Sequence, residues 1–310
     1  MSNPINNHYV PQVYLKAFAD SQKQIYQLKR KYRKISQKRI AQICYEPNYF
    51  TIQKDETKLF NNVTDPYHIE KYSFKKHENM YERILKKITL PSLNQTRLSK
   101  SEVKTFLEIL ITIKRRNPTV KKQLIKEIRN HFNSGEFKKN LQPGIEISRK
   151  IDSIDPEEYI ENYIQTINND NSKVADIYLS IFLGNESKVI EKVSGTLMHY
   201  QLFVYHAPPL SQFFTSDNPG FTVVGDIIVN YGGLSDKFVF IFPLSPKYCL
   251  LIDSTDLDDK FNLDKMIYHK HIDNASVEIF NQSTAQISID KVFCYNKFFL
   301  SEFLKKGNIY

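Results

Sequence analysis

The chain of 310 residues has no tryptophan, no closely spaced cysteines and no long apolar run. Without tryptophan, any ring stacking depends on its 21 phenylalanines and 19 tyrosines. Cys44, Cys249 and Cys294 form no Cys-x-x-Cys pair, so neither a thiolate zinc site nor a disulfide framework is indicated. Scattered, reduced thiols are typical of cytoplasmic proteins, and we expect that location.

Membrane spans and familiar catalytic motifs are also missing. No segment approaches the roughly 18 apolar residues needed to cross a bilayer. The opening MSNPINNHYV lacks the apolar stretch of a signal peptide. No GxGxxG, Walker, HExxH or GxSxG sequence occurs, so none of those nucleotide, zinc-protease or hydrolase sites is indicated. We expect no membrane partner, and the sequence gives no indication of oligomeric state.

The charge is strongly uneven along the chain. Residues 1–150 carry 31 Lys and Arg against 13 Asp and Glu, a net charge of +18, whereas residues 151–310 carry 12 against 21, a net charge of −9. Such asymmetry indicates a polyanionic partner such as a nucleic acid or nucleotide, or else two complementary surfaces of one fold.

The composition, 41% hydrophobic and 25% charged, is typical of a globular protein with a substantial core. The order of patterns predicts one α+β domain over residues 1–310, with a helical middle layer packed on a C-terminal antiparallel sheet and short N-terminal strands. Its sub-regions are basic strands (1–60), helices (65–195) and a sheet with a C-terminal helix (196–310). Helices are expected at 66–89, 101–116, 119–132, 157–167, 173–192 and 264–286, and C-terminal strands at 199–207, 212–217, 221–229, 237–244 and 247–253.

Candidate chemistry is spread over several segments. His8, in NHYVP, has a side chain suited to proton transfer or metal binding, although a structural hydrogen bond is the simpler interpretation. Glu70 and Glu78 lie on the predicted helix 66–89 and are either metal ligands or a solvated edge. Arg116, in KRRNP, ends a helix, where it either complements the helix dipole or clamps a phosphate.

The segment TSDNPG (215–220) places polar groups at a strand end. Asp217 could bind a metal, orient a histidine or accept a proton, and Asn218 is a candidate binding residue; the alternative is a plain β-turn. In YHKHIDN, His269 and His271 would have chelate-like spacing only on a strand, and we expect instead a solvated helix start.

The stretch KRKYRKISQKR (29–39) contains 7 basic residues in 11. This pattern is compatible with a strand or hairpin that has one solvent-exposed face. Its charges either protect an edge strand from aggregation or contact phosphates, with Tyr32 stacking on a base. The candidate phosphate-binding residues are Lys29, Arg30, Lys31, Arg33, Lys34, Lys38 and Arg39.

Four motifs in order, NHYVPQVYLKAF, RRNP, FFTSDNPG and FPLSPKYCLLI, resemble the mostly bacterial family named domain of unknown function 4238, over about residues 7–297. The resemblance implies no particular activity. It groups polar residues from distant segments, which suggests one composite pocket with His8 within about 12 Å of Asp217. The matching positions are His8, Tyr9, Pro11, Arg116, Pro118, Asp217, Asn218, Pro219, the run 243–246, Asn274 or Asn281, and Ala285.

Three functions are compatible with these features. The first is metal-assisted hydrolysis of a phosphodiester or nucleotide, with Mg²⁺ or Mn²⁺ as the candidate ion. Its residues would be His8 as acid or base, Asp217, Glu78 and Glu70 as orienting groups or ligands, and Arg116 with Tyr9 and Asn218 for binding. The second is non-catalytic nucleic-acid binding, and the third is a toxin-like or anti-phage effector.

Overall fold

The structure is a computed structural model that describes residues 6–52, 65–90, 94–137, 139–140, 156–183, 187–230, 237–258 and 264–307. Helices and sheets alternate in blocks, and the α+β class predicted from the sequence is confirmed. In chain order the main elements are β1 (Asn6–His8), α1 (Gln12–Leu15), β2 (Gln24–Lys29), β3 (Lys34–Arg39), β4 (Tyr45–Pro47), α2 (Lys75–Ile88), β5 (Gln95–Leu98), α3 (Lys100–Arg115), α4 (Pro118–Phe132), α5 (Pro156–Asn169), α6 (Asn171–Leu183), α7 (Lys188–Leu197), β6 (Tyr200–His206), β7 (Thr215–Ser216), β8 (Phe221–Val224), β9 (Ile227–Val229), β10 (Val239–Pro243), β11 (Tyr248–Leu257), β12 (Lys265–His271), α8 (Asn274–Ile287), β13 (Lys291–Cys294) and α9 (Lys297–Lys305).

The helical layer is organised around α3, which is buried along most of its length. Ser99 caps its first turn by accepting a hydrogen bond from the Glu102 amide, and the Glu102 side chain accepts in return from the Ser99 amide. Such a reciprocal cap supplies partners to the orphan amides at a helix start. Asn117 ends this helix and caps α4, with Pro118 in the first turn, as the sequence predicted.

The larger sheet has seven strands in the order β5-β12-β6-β11-β10-β8-β9. All its neighbouring strands are antiparallel except β12 and β6, which run parallel. The predicted antiparallel sheet is confirmed for β6, β8, β9, β10 and β11, and the parallel pair is made by β12, a segment predicted to be helical. The parallel pairing aligns His271 with His206.

A second sheet of four strands joins the two ends of the described chain, in the order β3-β2-β13-β7. The N-terminal hairpin of β2 and β3 pairs with β13, so Lys29 lies opposite Lys291. The predicted sub-regions thus interleave rather than follow one another in space. Residues 1–5 and 53–60 of the first predicted sub-region lie outside the described residues.

Two predicted helices are wrong in their extent. The segment 173–192 forms two helices, because Ser187 caps a new one by accepting from the Ile190 amide. The segment 264–286 begins as strand β12, held between β5 and β6, and becomes helical only after Asp273, which accepts from the Ser276 amide. The expectation that His269 and His271 start a helix is therefore wrong.

Candidate functional site

Two of the four sequence motifs, RRNP and TSDNPG, meet where α3 gives way to α4. The Lys114 ammonium donates to Asn218 Oδ1 (2.8 Å), the Gly220 carbonyl (2.6 Å) and Asn230 Oδ1 (2.6 Å). Asn117 Nδ2 donates to the Asp217 carbonyl over 2.7 Å. We call this contact between residues 114–118 and 215–220 the motif junction. It fixes the TSDNPG turn against the end of the helical layer.

The opening motif reaches the same place through Tyr14. Its buried hydroxyl donates to the Pro243 carbonyl (2.8 Å) and lies 2.6 Å from the Thr215 hydroxyl. One buried oxygen therefore connects the first motif, TSDNPG and FPLSP. Sequence reasoning passed over Tyr14 and Lys114, although both lie inside the quoted motifs.

Asp217 is buried, with 2% of its surface exposed, and its carboxylate holds the segment that leads into β13. Oδ1 accepts from the Ile289 amide (2.8 Å), and Oδ2 accepts from the amides of Asp290 and Lys291 (both 2.9 Å). Burial raises the pKa of Asp217 to about 6, and the three backbone hydrogen bonds oppose that rise. With both oxygens occupied by backbone donors, the carboxylate is arranged as a clamp.

The rest of the TSDNPG turn is equally engaged. Asn218 Nδ2 donates to the Ile287 carbonyl (2.7 Å) and to Asn230 Oδ1 (2.6 Å), while its oxygen accepts from Lys114. Gly220 has φ +70°, and a Cβ there would lie 2.3 Å from the Phe242 ring. Only glycine fits such a position without moving the ring.

Arg116, 2% exposed, lies at the centre of a second group of contacts. Its guanidinium donates to the His8 carbonyl and to Glu78 Oε1 (3.4 Å), and lies 3.9 Å from Glu70 Oε2. The Phe74 ring covers the guanidinium, with its centroid 3.7 Å from the central carbon. This arginine is therefore bound to groups of its own chain, which is not the open position that a phosphate clamp needs.

His8 presents its backbone, rather than its ring, to Arg116. The ring Nε2 is buried and has no hydrogen-bond partner among the described residues. Burial lowers the pKa of His8 below 6.5, and a hydrogen bond with the Ala41 backbone opposes this. The ring is consequently neutral at pH 7 and can accept a proton.

Glu70 and Glu78 flank Arg116 from the helical segment that includes α2. Burial raises the pKa of Glu70, and the nearby guanidinium of Arg116 opposes the rise. Glu78 is the more open of the two, with 37% of its side chain exposed. Both carboxylates face the one guanidinium of Arg116, which is the arrangement of a structural ion pair.

Beyond this group, Tyr9 is buried beside Cys44, and burial raises the pKa of its hydroxyl. Lys121 lies over the Tyr49 ring, 4.0 Å from its centroid, and donates to the Tyr49 carbonyl (3.2 Å). Burial lowers the pKa of Lys121 to about 8. Lys121 was not singled out from the sequence, because only its folded surroundings distinguish it from other lysines.

The segments that the sequence grouped into one composite pocket meet through Arg116 and Asn117. Arg116 touches His8, and its neighbour Asn117 touches Asp217, so the segments do converge. The contacts are made largely by backbone atoms and buried donors. The catalytic and binding roles assigned to these residues stay predictions.

A family model described as "Protein of unknown function (DUF4238)" matches residues 6–297. The chain belongs to this family. Comparisons with curated proteins and with solved structures give no match. The resemblance noted in the sequence is confirmed, and the motif junction is the place where the motifs of this DUF4238 chain meet.

The basic hairpin and the TSDNPG strand β7 lie on opposite sides of β13 in the four-stranded sheet. Lys29 pairs with Lys291, whose amide donates to Asp217. Arg30 donates to the Ser288 carbonyl (2.9 Å), Arg33 donates to the Leu304 carbonyl (3.4 Å), and Arg39 belongs to a short capping turn. The side chains of Arg30 and Arg33 are therefore bound to groups of the fold, whereas Arg39 uses its backbone amide and its side chain is exposed. Three lysines and the ring between them are exposed: Lys31, Tyr32, Lys34 and Lys38.

Among the residues that the structure describes, no three His, Cys, Asp or Glu side chains are arranged to hold a metal ion. Asp217, Glu70 and Glu78 therefore do not form a ready ligand set. All three cysteines are buried and unpaired, in agreement with the sequence. In the same described part of the chain, every helix is too short or too polar to span a bilayer.

Proposed function

We propose that this protein binds a nucleic acid through the hairpin of β2 and β3. The observation that carries this proposal is a pair of like charges: Lys29 and Lys34 lie directly opposite each other across the two strands. Like charges in that position destabilise a hairpin. An anion such as a phosphate placed between them would reverse the effect.

The surroundings of this pair support the same function. No carboxylate of the described residues forms an ion pair with Lys29, Lys31, Lys34 or Lys38. Tyr32, at the hairpin turn, is 64% exposed, and an exposed ring next to phosphate-binding cations is a typical platform for an unpaired base. We therefore expect single-stranded RNA or DNA to bind more tightly than a duplex.

The test is fluorescence anisotropy with labelled single strands over a range of salt concentrations. Neutralising three hairpin residues, Lys31→Gln, Lys34→Gln and Lys38→Gln together, should reduce the slope of log K against log salt by about 2, since each lost phosphate contact removes about 0.7 from it. Tyr32→Ala should weaken binding about tenfold with the slope unchanged.

A matched control neutralises three exposed lysines elsewhere, Lys86, Lys122 and Lys126. The control triple variant should bind with the wild-type slope. If both triple variants lose affinity equally, the binding reflects net charge alone, and the hairpin is not the site.

A second candidate, hydrolysis of a phosphodiester or nucleotide with Mg²⁺ or Mn²⁺, has support from one observation. The His8 ring is neutral and its buried Nε2 lacks a partner among the described residues, and the His8 carbonyl accepts from Arg116, which also contacts Glu70 and Glu78. In this proposal His8 is the base, and Asp217 is left out because its oxygens are occupied. The effector role stays a prediction from the sequence.

The hydrolytic proposal predicts a large effect of one substitution. His8→Gln should lower cleavage of labelled RNA, DNA or nucleotides at least about 100-fold, the usual contribution of a general base. The Arg116 contact should survive, because it uses the His8 carbonyl. His131→Gln, at an exposed position on α4, is the control. Equal cleavage by wild type and His8→Gln would contradict the proposal.

A further inference from the structure

Three of the 8 histidines gather on one face of the seven-stranded sheet. His269 and His271 are two residues apart on β12, so their side chains point to the same face. The parallel register places His271 beside His206 of β6. The His206 ring lies 5.0 Å from that of His269 and 4.7 Å from that of His271, centroid to centroid.

Two ring nitrogens of this cluster already converge. His206 Nε2 and His269 Nδ1 are 2.7 Å apart, a hydrogen-bond distance in which one nitrogen donates and the other accepts. On the far side of its ring, His269 Nε2 lies 3.0 Å from the hydroxyl of Thr96, a buried residue of β5. If His269 carries its proton on Nε2, as a donor to Thr96, then Nδ1 presents its lone pair to His206.

A metal ion can replace the proton that these two nitrogens share. The neutral ring of His206 can carry its proton on Nδ1 instead of Nε2. The lone pairs of His206 Nε2 and His269 Nδ1 then both point into the gap between the two rings, and neither ring loses a proton to solvent. Hydrogen bonding of the outer nitrogen, here to Thr96, is how metal-binding histidines are generally oriented. Two nitrogens that can ligate a metal ion, and a hydroxyl that orients one of the two rings, are therefore in place.

The gap between the two nitrogens is narrower than a bound zinc ion requires. Two Zn–N bonds of about 2.05 Å at a tetrahedral angle hold their nitrogens about 3.3 Å apart. The gap of 2.7 Å must therefore open by about 0.6 Å. Only two nitrogens point into it, so a full site needs His271 to turn toward them, and His271 is exposed and adjacent.

The neighbouring groups do not oppose a cation. Tyr248 packs its ring against His206, 4.9 Å between centroids. Lys270, between the two histidines of β12, faces the other way and lies over the Phe203 ring, with its ammonium 3.8 Å from the centroid. Burial and the neighbouring histidines lower the pKa of His206 to about 4, which leaves its ring neutral and able to ligate at pH 7.

As folded, the three histidines are not arranged to hold a metal ion. We propose that His206, His269 and His271 become a zinc site when the gap widens and His271 turns toward it, with Thr96 as the residue that orients His269. A water completes the tetrahedral shell. The site is independent of the nucleic-acid surface proposed above, since its residues lie on a different sheet.

The experiment uses full-length protein without a polyhistidine tag, treated with a chelator and then titrated with Zn²⁺ against a chromophoric competitor. Wild type should bind one equivalent per chain, and Co²⁺ in its place should give the visible absorption of a tetrahedral ion. His206→Gln and His269→Gln should each bind at least about 100-fold more weakly, and Thr96→Val about 10-fold more weakly.

His131→Gln is the matched control and should bind as wild type does. Circular dichroism of the metal-free variants establishes that each is folded. If His206→Gln does not fold, the surface variant His271→Gln and Thr96→Val still decide the matter, because both should weaken binding. Wild-type affinity in those two variants, or less than one equivalent bound by wild type, would overturn the proposal.

Discussion

Asp217→Ala should lower the free energy of unfolding by about 4 kcal/mol, because it leaves three backbone amides without their charged acceptor. The amides of Ile289, Asp290 and Lys291 all donate to this one carboxylate. In a chain of this length the melting temperature should fall by roughly 10 °C. Asp217→Asn should lose about half as much, since its amide oxygen can still accept two of the three hydrogen bonds. Thermal melts followed by circular dichroism measure both.

Asp226→Asn is the control, because Asp226 is exposed on the β8–β9 turn, and its effect should stay within about 0.5 kcal/mol. A pH series gives a second test. The pKa of Asp217 is about 6 in the folded protein and 3.8 in the unfolded chain, so the folded state holds the proton more tightly. Wild-type stability should therefore contain a component that decreases from about pH 4 to pH 6, and Asp217→Ala should lack it. An Asp217→Ala protein as stable as wild type would show that the carboxylate is not a clamp.

Arg116→Met should lower the free energy of unfolding by about 3 kcal/mol, the lower end of the range for breaking a buried ion pair. The substitution leaves the His8 carbonyl without its donor and Glu70 without its counter-charge. We take the lower end because the Glu78 side chain is 37% exposed and can regain water. Urea denaturation measures the change.

A double-mutant cycle separates the charge from the packing of the arginine on Phe74. Arg116→Met combined with Glu70→Gln should be more stable than the sum of the single effects predicts, by about 1 kcal/mol, since the neutral amide needs no counter-charge. Arg83→Met, at a side chain that is 59% exposed, is the control and should change little. Additive effects would mean that Arg116 contributes by packing alone.

Local signals predicted the helical layer well. The Asn117–Pro118 break and the helix starting near residue 100 were visible because caps and prolines act over one turn. The strand β12 was missed for the opposite reason. Its neighbours β5 and β6 lie more than 60 residues away in sequence, and only they distinguish it from a helix start.

The sequence predicted which residues belong to the candidate site, but not which contacts their side chains make there. The motifs indicated that His8, Arg116 and Asp217 belong together, and their segments do meet. Nothing local could show that the Asp217 carboxylate accepts from amides 72 to 74 residues further along the chain. The type of a side chain determines which chemistry it can perform. Contacts with residues distant in sequence determine whether its polar atoms are still free to bind a ligand.

The four-stranded sheet has a consequence for how this chain is made on the ribosome. Its inner strand β2 pairs with β13, with Lys29 opposite Lys291. At 5–20 residues per second, β13 leaves the ribosome roughly 13–50 s after β2. During that time the hairpin exposes an unpaired strand edge, and pairing over such a separation is intrinsically slow. Charged side chains on such a hairpin disfavour pairing with another chain. The hairpin lysines therefore also protect the nascent chain from aggregation until β13 has been synthesised.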